Sequence, residues 1–372
     1  MKLAMSNSGS KRGLYIHVPF CRKKCGYCDF VSYQGRETEI DSYLAALRRE
    51  ADFYTDIAGT FDTVYIGGGT PSLLSHRQLE TLCGIIGSLT RNDGIREFTV
   101  EANPESMTVE KAAVLKSCGV DRISMGLQSH KPDLLRRLGR ITTPQDFATA
   151  WDILRSAGFK NINADLMTGL PGQSLRDFWE SMDFLTAMNP DHISLYPLEI
   201  HQETPLGRQG IEENPNEAAD MYDEACSFLP KKGYEKYEIS NFSKPGMESR
   251  HNMHYWLQEE YLGLGPGAAS YIDGERRTTD GSVDSWIKAL SAGRKPESIS
   301  RETLQGREKL AEKVILGLRL TKGIEIDSDI IIKLEKGLCS DAAKELLVYD
   351  GNHIRIRPGK EYLANRLFIE FL

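Results

Sequence analysis

The chain has 372 residues, with 46 Lys and Arg against 53 Asp and Glu for a formal charge of -7, and is 40% hydrophobic and 27% charged. That length suits one large domain plus a smaller one, and the composition is that of an ordered core rather than a disordered segment. The acidic balance argues against nucleic acid as principal partner, because no global basic field would attract a phosphate backbone. No run nears the ~20 apolar residues of a membrane span, and the opening MKLAMSNSGSKRG lacks the apolar stretch of an export signal, so a cytoplasmic location is expected.

In chain order, short β-rich runs alternate with amphipathic helical runs. GLYIHVPF (13–20) reads as a strand and EIDSYLAALRREADFY (39–54) as a helix with Tyr43, Leu44, Leu47 and Ala51 on one face. FDTVYIG (61–67) is the next strand, and SHRQLETLCGIIGSL (75–89) a helix opened by Ser75. EFTVEAN (97–103), a helix after Thr108 and RISMGLQS (122–129) continue the cycle, each strand ending in polar residues. Thr143-Pro144-Gln145-Asp146 combines a cap, a proline at the first helical position and an acid three residues after the cap, which predicts a helix to about Ala157, stopped at Gly158. NINADLMTGLP (161–171), the helical LRDFWESMDFLTAM (175–188) and HISLYPLEI (192–200) complete six βα-like units, with a short helix at 216–229. Six units fall short of the eight that close a standard barrel, so an α/β fold built as an incomplete TIM-like (β/α)6 barrel over residues 13–230 is expected.

Beyond Gly233 the rhythm changes. YEKYEISNFSKPG, RHNMHYW and YLGLGPGAASYIDGERR predict that residues 231–300 extend the sheet and cover the active site. From 301 to 372 the chain is helical and then mixed, with a hairpin signal at Asp350-Gly351, which predicts a small C-terminal α/β domain of winged-helix-like character.

HVPFCRKKCGYCDF places Cys21, Cys25 and Cys28 in a CxxxCxxC pattern. Seven cysteines, three of them clustered, suit metal ligation in a reducing compartment better than a disulfide framework. Cys83, Cys118, Cys226 and Cys339 are scattered in apolar patterns and are read as small core residues. Structural zinc takes four ligands, usually as two separated pairs, and a second CxxC is missing; Cys83 or His251 would have to complete such a site. Iron–sulfur clusters are also held by thiolates, and one held by three keeps an iron coordinatively open.

CxxxCxxC directly after the first strand of a six-unit α/β barrel resembles the radical S-adenosylmethionine (SAM) superfamily. The resemblance implies a 4Fe-4S cluster on Cys21, Cys25 and Cys28, with SAM chelating the open iron through its amino and carboxylate groups. The polar strand ends match that ligand chemically. Gly67 to Pro71, GGGTP, lets the backbone approach a ligand, and fits neither the P-loop nor the GxGxxG pattern. A zwitterion and a ribose diol call for an acid near the ammonium, an arginine on the carboxylate, and acids or amides on the hydroxyls. Glu101, Arg140, and Gln128 with Asp165 are on offer in those roles; each alone is more often a surface or capping residue.

YIHVPFCRKKCGYCDF, YIGGGTPSLL, EANPES, RISMGLQS, LGRI and DLMTGLPGQ together look like the coproporphyrinogen-oxidase-like branch, which holds the oxygen-independent coproporphyrinogen III oxidase and its haem-chaperone relatives. Carried over by position, Tyr15, Tyr27, Gly68, Gly69, Thr70, Glu101, Gln128, Arg140 and Asp165 match that branch's SAM contacts. The oxidase pattern, CxxxCxxCxC, would place another cysteine where this chain has Phe30, and the oxidase carries a longer arm than the fourteen residues that precede Tyr15 here. RHNMHYW (250–256) is similar to the HNxxYW element of the haem-chaperone subfamily. Imidazole ligates haem iron, Tyr255 and Trp256 offer stacking faces, and Arg250 suits a propionate, so His251 is a candidate haem contact; a satisfied core or capping histidine is the other reading. The implied function is a haem chaperone that carries haem to acceptor proteins, with oxidative decarboxylation of coproporphyrinogen III as the alternative. Arg22, Lys23 and Lys24 are either a solvated turn or a docking patch for an acidic electron donor such as flavodoxin or ferredoxin.

Overall fold

The computed structural model describes residues 11–90 and 94–372. The opening ten residues, where an export segment was sought, lie outside the described residues.

The first half alternates strand and helix as the apolar periodicity predicts: β1 (Arg12–Val18), α1 (Ile40–Asp52), β2 (Phe61–Gly68), α2 (His76–Leu89), β3 (Glu97–Ala102), α3 (Val109–Ser117), β4 (Arg122–Gln128), α4 (Pro144–Ser156), β5 (Asn161–Thr168), α5 (Leu175–Ala187), β6 (His192–Pro197) and α6 (Pro215–Phe228). Helices start where a side chain satisfies free N–H groups. Ser75, Thr143 and Ser174 each close a capping box with the residue three positions on, and Thr108 caps α3.

Then follow β7 (Glu235–Lys236), β8 (Asn241–Ser243), α7 (Arg250–Trp256), β9 (Tyr261–Leu264), β10 (Ala269–Ile272), β11 (Glu275–Thr279), α8 (Val283–Ser291) and β12 (Ser298–Thr303). A twelve-stranded sheet runs β12-β11-β10-β9-β1-β2-β3-β4-β5-β6-β8-β7. From β9 through β1 to β6 all neighbours are parallel, and the flanking strands are antiparallel. The segment after α6 therefore extends both edges of an open (β/α)6 barrel. The C-terminal part comprises α9 (Gly306–Gly317), β13 (Ile324–Glu325), β14 (Leu347–Asp350) and β15 (His353–Ile356), its three strands ordered β13-β15-β14 around a second apolar core that includes Val314, Leu346, Ile354 and Phe371. Asp350 pairs with His353, so the hairpin turns on Gly351-Asn352, with Gly351 at φ 61°, one residue beyond the Asp-Gly signal.

The barrel strands alternate strictly between two surroundings. Leu14, Ile16, Val64, Val100, Ile123 and Ile162 are wholly buried in the main core with the helices. The other face is polar: Asn163 Nδ2 donates to Ser124 Oγ at 2.8 Å and to Asp165 Oδ1 at 2.7 Å, while Asn163 Oδ1 meets His192 Nδ1 at 2.6 Å. A lumen lined with hydrogen-bonding groups, where closed barrels usually hold branched aliphatics, marks a binding interior.

One of the cysteine readings needs correction. Cys83, Cys118 and Cys226 are partly buried, but Cys339 is exposed at the end of a short helix and is no core residue. No helix among the described residues is long and apolar enough to cross a membrane.

Candidate functional site: a cysteine loop over a polar barrel mouth

The three clustered cysteines lie in a loop at the C-terminal end of β1. Phe20–Cys21 pairs in parallel with Tyr33–Gln34 and closes the base of the loop. Its middle is held by Gly26, whose N–H donates to Leu138 O at 2.8 Å and whose carbonyl accepts from Leu206 N at 2.9 Å. A Cβ at Gly26 would lie 3.1 Å from Leu206 Cγ, so this close seat favours glycine. Lys24 Nζ donates to Phe30 O at 2.8 Å and folds back onto the loop, while Arg22, Lys23 and Phe30 point outward, Phe30 being 63% exposed. The basic patch read from the sequence is thus reduced to Arg22 and Lys23.

Burial raises the Cys21 and Cys28 thiols above their ordinary range, which disfavours bare thiolates and suits thiolates neutralised by metal. Polar groups approach each sulfur: Thr70 Oγ1 donates to Cys21 Sγ at 3.5 Å, Ser32 Oγ lies 4.0 Å from Cys28 Sγ, and Arg140 Nη1 lies 4.0 Å from Cys25 Sγ. Asn103 joins two of these supports, donating to Thr70 Oγ1 at 3.1 Å and accepting from Arg140 Nη2 at 3.2 Å. Such donors are the outer partners that thiolate ligands of a cluster take, and in this respect the residues present fit one.

Beside the loop, Glu101 accepts from Tyr65 OH at 2.7 Å and from Gly68 N at 3.0 Å. Burial pushes its carboxyl up to about 7, against the pull of those two donors. The glycines here are sterically required. A Cβ at Gly67 would lie 2.9 Å from the Glu101 carboxyl, one at Gly69 2.7 Å from Phe20 O, and Gly68 has a φ of 106°. Gln128 sits at φ 64° where the β4–β5 register shifts, a strained conformation, and its Nε2 and the Arg140 guanidinium both lie beside Gly126. Arg140 also donates to Gly126 O at 3.1 Å. Tyr15 OH lies 3.0 Å from His17 Nδ1, and His17 Nε2 lies 2.7 Å from Val31 O. A carbonyl only accepts, so Nε2 carries the hydrogen and Nδ1 accepts from Tyr15. Tyr27 packs on the apolar cluster beneath the loop, and Asp165 is bound to Asn163 deeper in the lumen. The structure thus groups Cys21, Thr70 and Arg140 with the unforeseen Asn103, and Glu101 and Gly68 with the unforeseen Tyr65. Asn103 and Tyr65 both continue the alternation of lumen-facing residues, Asn103 just past the end of β3, which is the signal that marks them.

His251 lies elsewhere, and the haem contact read from the sequence is corrected by its surroundings. It is fully buried in α7, at the N-terminal end of the barrel, with Nδ1 2.9 Å from Thr63 Oγ1 and Nε2 2.9 Å from Tyr255 OH. Both ring nitrogens are occupied, leaving neither for iron. Trp256, half-buried, has one ring face occupied by the Arg319 guanidinium at 4.5 Å. The reading as a satisfied core histidine is the one the structure supports.

Residues 15–185 match the family model described as the Radical SAM superfamily. The "Heme chaperone HemW" of Bacillus subtilis is 38% identical over 324 residues, 84% of each chain, and that of Lactococcus lactis 37% identical over 370 residues, 96% of each. The solved structure described as "Coproporphyrinogen III oxidase (HemN) from Escherichia coli is a Radical SAM enzyme" has the same fold, with a TM-score of 0.84 at 21% identity over 97% of this chain and 90% of that one. In this superfamily the cluster supplies one-electron chemistry to bound SAM. Similar to haem chaperones over most of its length, the chain belongs to the HemW family of the radical SAM superfamily.

Proposed function

We propose that this protein is a haem chaperone that binds haem, a 4Fe-4S cluster and SAM and delivers the haem to acceptor proteins. The observation that carries this reading is similarity to haem chaperones across nearly the whole chain, together with an exposed Phe30 where the oxidase pattern has cysteine. Cys21, Cys25 and Cys28 hold the cluster. Glu101 and the Gly68-Gly69-Thr70 backbone hold the SAM amino group, Arg140 its carboxylate, Gln128 and Asp165 the ribose, and Tyr15 and Tyr27 border the site. Phe30, beside the loop, presents an aromatic face on which a porphyrin stacks. Residues 13–230 form the cluster and SAM barrel, 231–300 extend the sheet, floor the barrel with α7 and cover the site beside the cysteine loop, where Tyr33 OH donates to Gly281 O at 3.0 Å, and 301–372 are the C-terminal domain. The protein works in the cytoplasm, and Arg22 with Lys23 receives an acidic reductant such as flavodoxin or ferredoxin. Anaerobic incubation of the reconstituted protein with coproporphyrinogen III, SAM and reductant tests the assignment. No protoporphyrinogen is expected; robust formation would return the chain to the oxidase.

A further inference from the structure

We infer that His251 is a positioning residue, which supports from beneath the acid proposed to hold the SAM amino group. The inference rests on that SAM site. The support is a continuous stack. The His251 and Tyr65 rings lie 5.2 Å apart at 31°, and Tyr65 OH donates to Glu101 Oε1 at 2.7 Å. Tyr15 borders the other side of Tyr65, with ring centroids 6.2 Å apart at 30°. The space for the imidazole exists because residue 13 is glycine: a Cβ there would lie 3.0 Å from His251 Cε1.

The imidazole is fixed in turn by how α7 is tied to the start of the strands. The Glu97 carboxylate, on the first residue of β3, accepts from Arg250 N at 2.7 Å and from His251 N at 3.0 Å. His254 Nε2 lies 2.9 Å from Asp62 Oδ1, on β2. Thr63 and Tyr255 hold the His251 ring between them at 2.9 Å each. To present His251 to haem iron, α7 would have to leave the barrel floor and break all of these contacts. In place, it presents His251 to Tyr65, which stands directly below Glu101. The RHNMHYW element therefore acts on the SAM site through packing.

The test is SAM affinity of the anaerobically reconstituted protein, with cluster content measured on each sample, for the native chain, His251→Ala, Tyr65→Phe and the double variant. Loss of the ring that seats Tyr65 predicts severalfold weaker SAM binding in His251→Ala near neutral pH, up to the about fivefold loss in Tyr65→Phe. Because His251 acts through the Tyr65 hydroxyl, the double variant binds no more weakly than Tyr65→Phe alone. Haem titration of His251→Ala matches the native chain. Unchanged SAM affinity in His251→Ala, additive losses in the double variant, or a lost axial haem signature would each overturn the inference. If His251→Ala does not fold, Tyr255→Phe, which removes the partner of Nε2, is expected to weaken SAM binding severalfold with a small fall in melting temperature, and native affinity there overturns it equally. Failure of the native chain to bind SAM would defeat the proposed site instead. A crystal structure of either variant then still decides the inference: Tyr65 leaves Glu101 if it holds and stays if it does not.

Discussion

Replacing Tyr65 by Phe deletes a hydroxyl that donates to Glu101 Oε1 at 2.7 Å and leaves the ring in place. A hydrogen bond to a charged acceptor is worth about 1.5 kcal/mol at the lower end of its range, suited to a barrel mouth open at one side, and that is about tenfold in an equilibrium. Glu101 titrates at about 7 because burial outweighs its donors, so loss of one donor favours the protonated form further. The carboxylate accepts from the SAM amino group more strongly than the neutral acid does. Affinity therefore rises with pH through the Glu101 midpoint, and the variant moves that midpoint up by about one pH unit. Near neutral pH the ionised fraction falls from about a half to about a tenth, which weakens SAM about fivefold; two pH units higher the curves converge. Calorimetric titration with SAM across pH 6 to 9 reads this directly. A loss that does not vary with pH, or superimposable curves, would refute the assignment of Glu101 to the SAM amino group.

Other consequences are as direct. Thr70→Val removes the donor 3.5 Å from Cys21 Sγ, and the cluster's one-electron potential should fall by about 40 mV, measured by redox titration; an unchanged potential means that the contact does not reach the sulfur. Lys23→Glu should slow reduction by flavodoxin at low salt with normal cluster content, whereas Lys24→Glu should lower cluster content, since Lys24 Nζ braces the loop through Phe30 O. Equal effects of the two on reduction alone would contradict that division. Glu50 is buried, accepts from Gly265 N at 2.8 Å, and is pushed up by burial to about 7 from 4.5. Between those values the folded chain holds a proton that the unfolded chain has lost, so stability falls as pH rises. Glu50→Gln should gain up to about 3 kcal/mol over the native protein above pH 7 and nothing below 4.5, read from melting curves against pH; parallel curves would show that Glu50 is ionised in the fold.

How much of this was legible beforehand depends on how local the determining interactions are. Ser75 and Thr143 announced their helices because a cap acts within four residues. Glu101, Gln128 and Asp165 could be placed on one face because alternation sends their side chains there, whereas Arg140, in the loop after a short helix that follows β4, could be chosen only by its chemistry. Lys24 was misjudged because its partner, Phe30 O, is a backbone atom offered by a loop conformation that spacing does not encode. His251 was misjudged for a longer-range reason. The Thr63 and Glu97 contacts that bury it lie 188 and 154 residues away, and only folding brings α7 beneath the strands. Cys339 sits in an apolar-looking run, but the helix that precedes it ends there and leaves the thiol in solvent.

The central claim, haem carriage, is tested most directly by titrating haem into the anaerobically reconstituted protein and following the Soret band, then adding an apo haem protein as acceptor. The account predicts saturable, stoichiometric binding and transfer of the haem to the acceptor. Absence of saturable binding in a sample with full cluster content would contradict it.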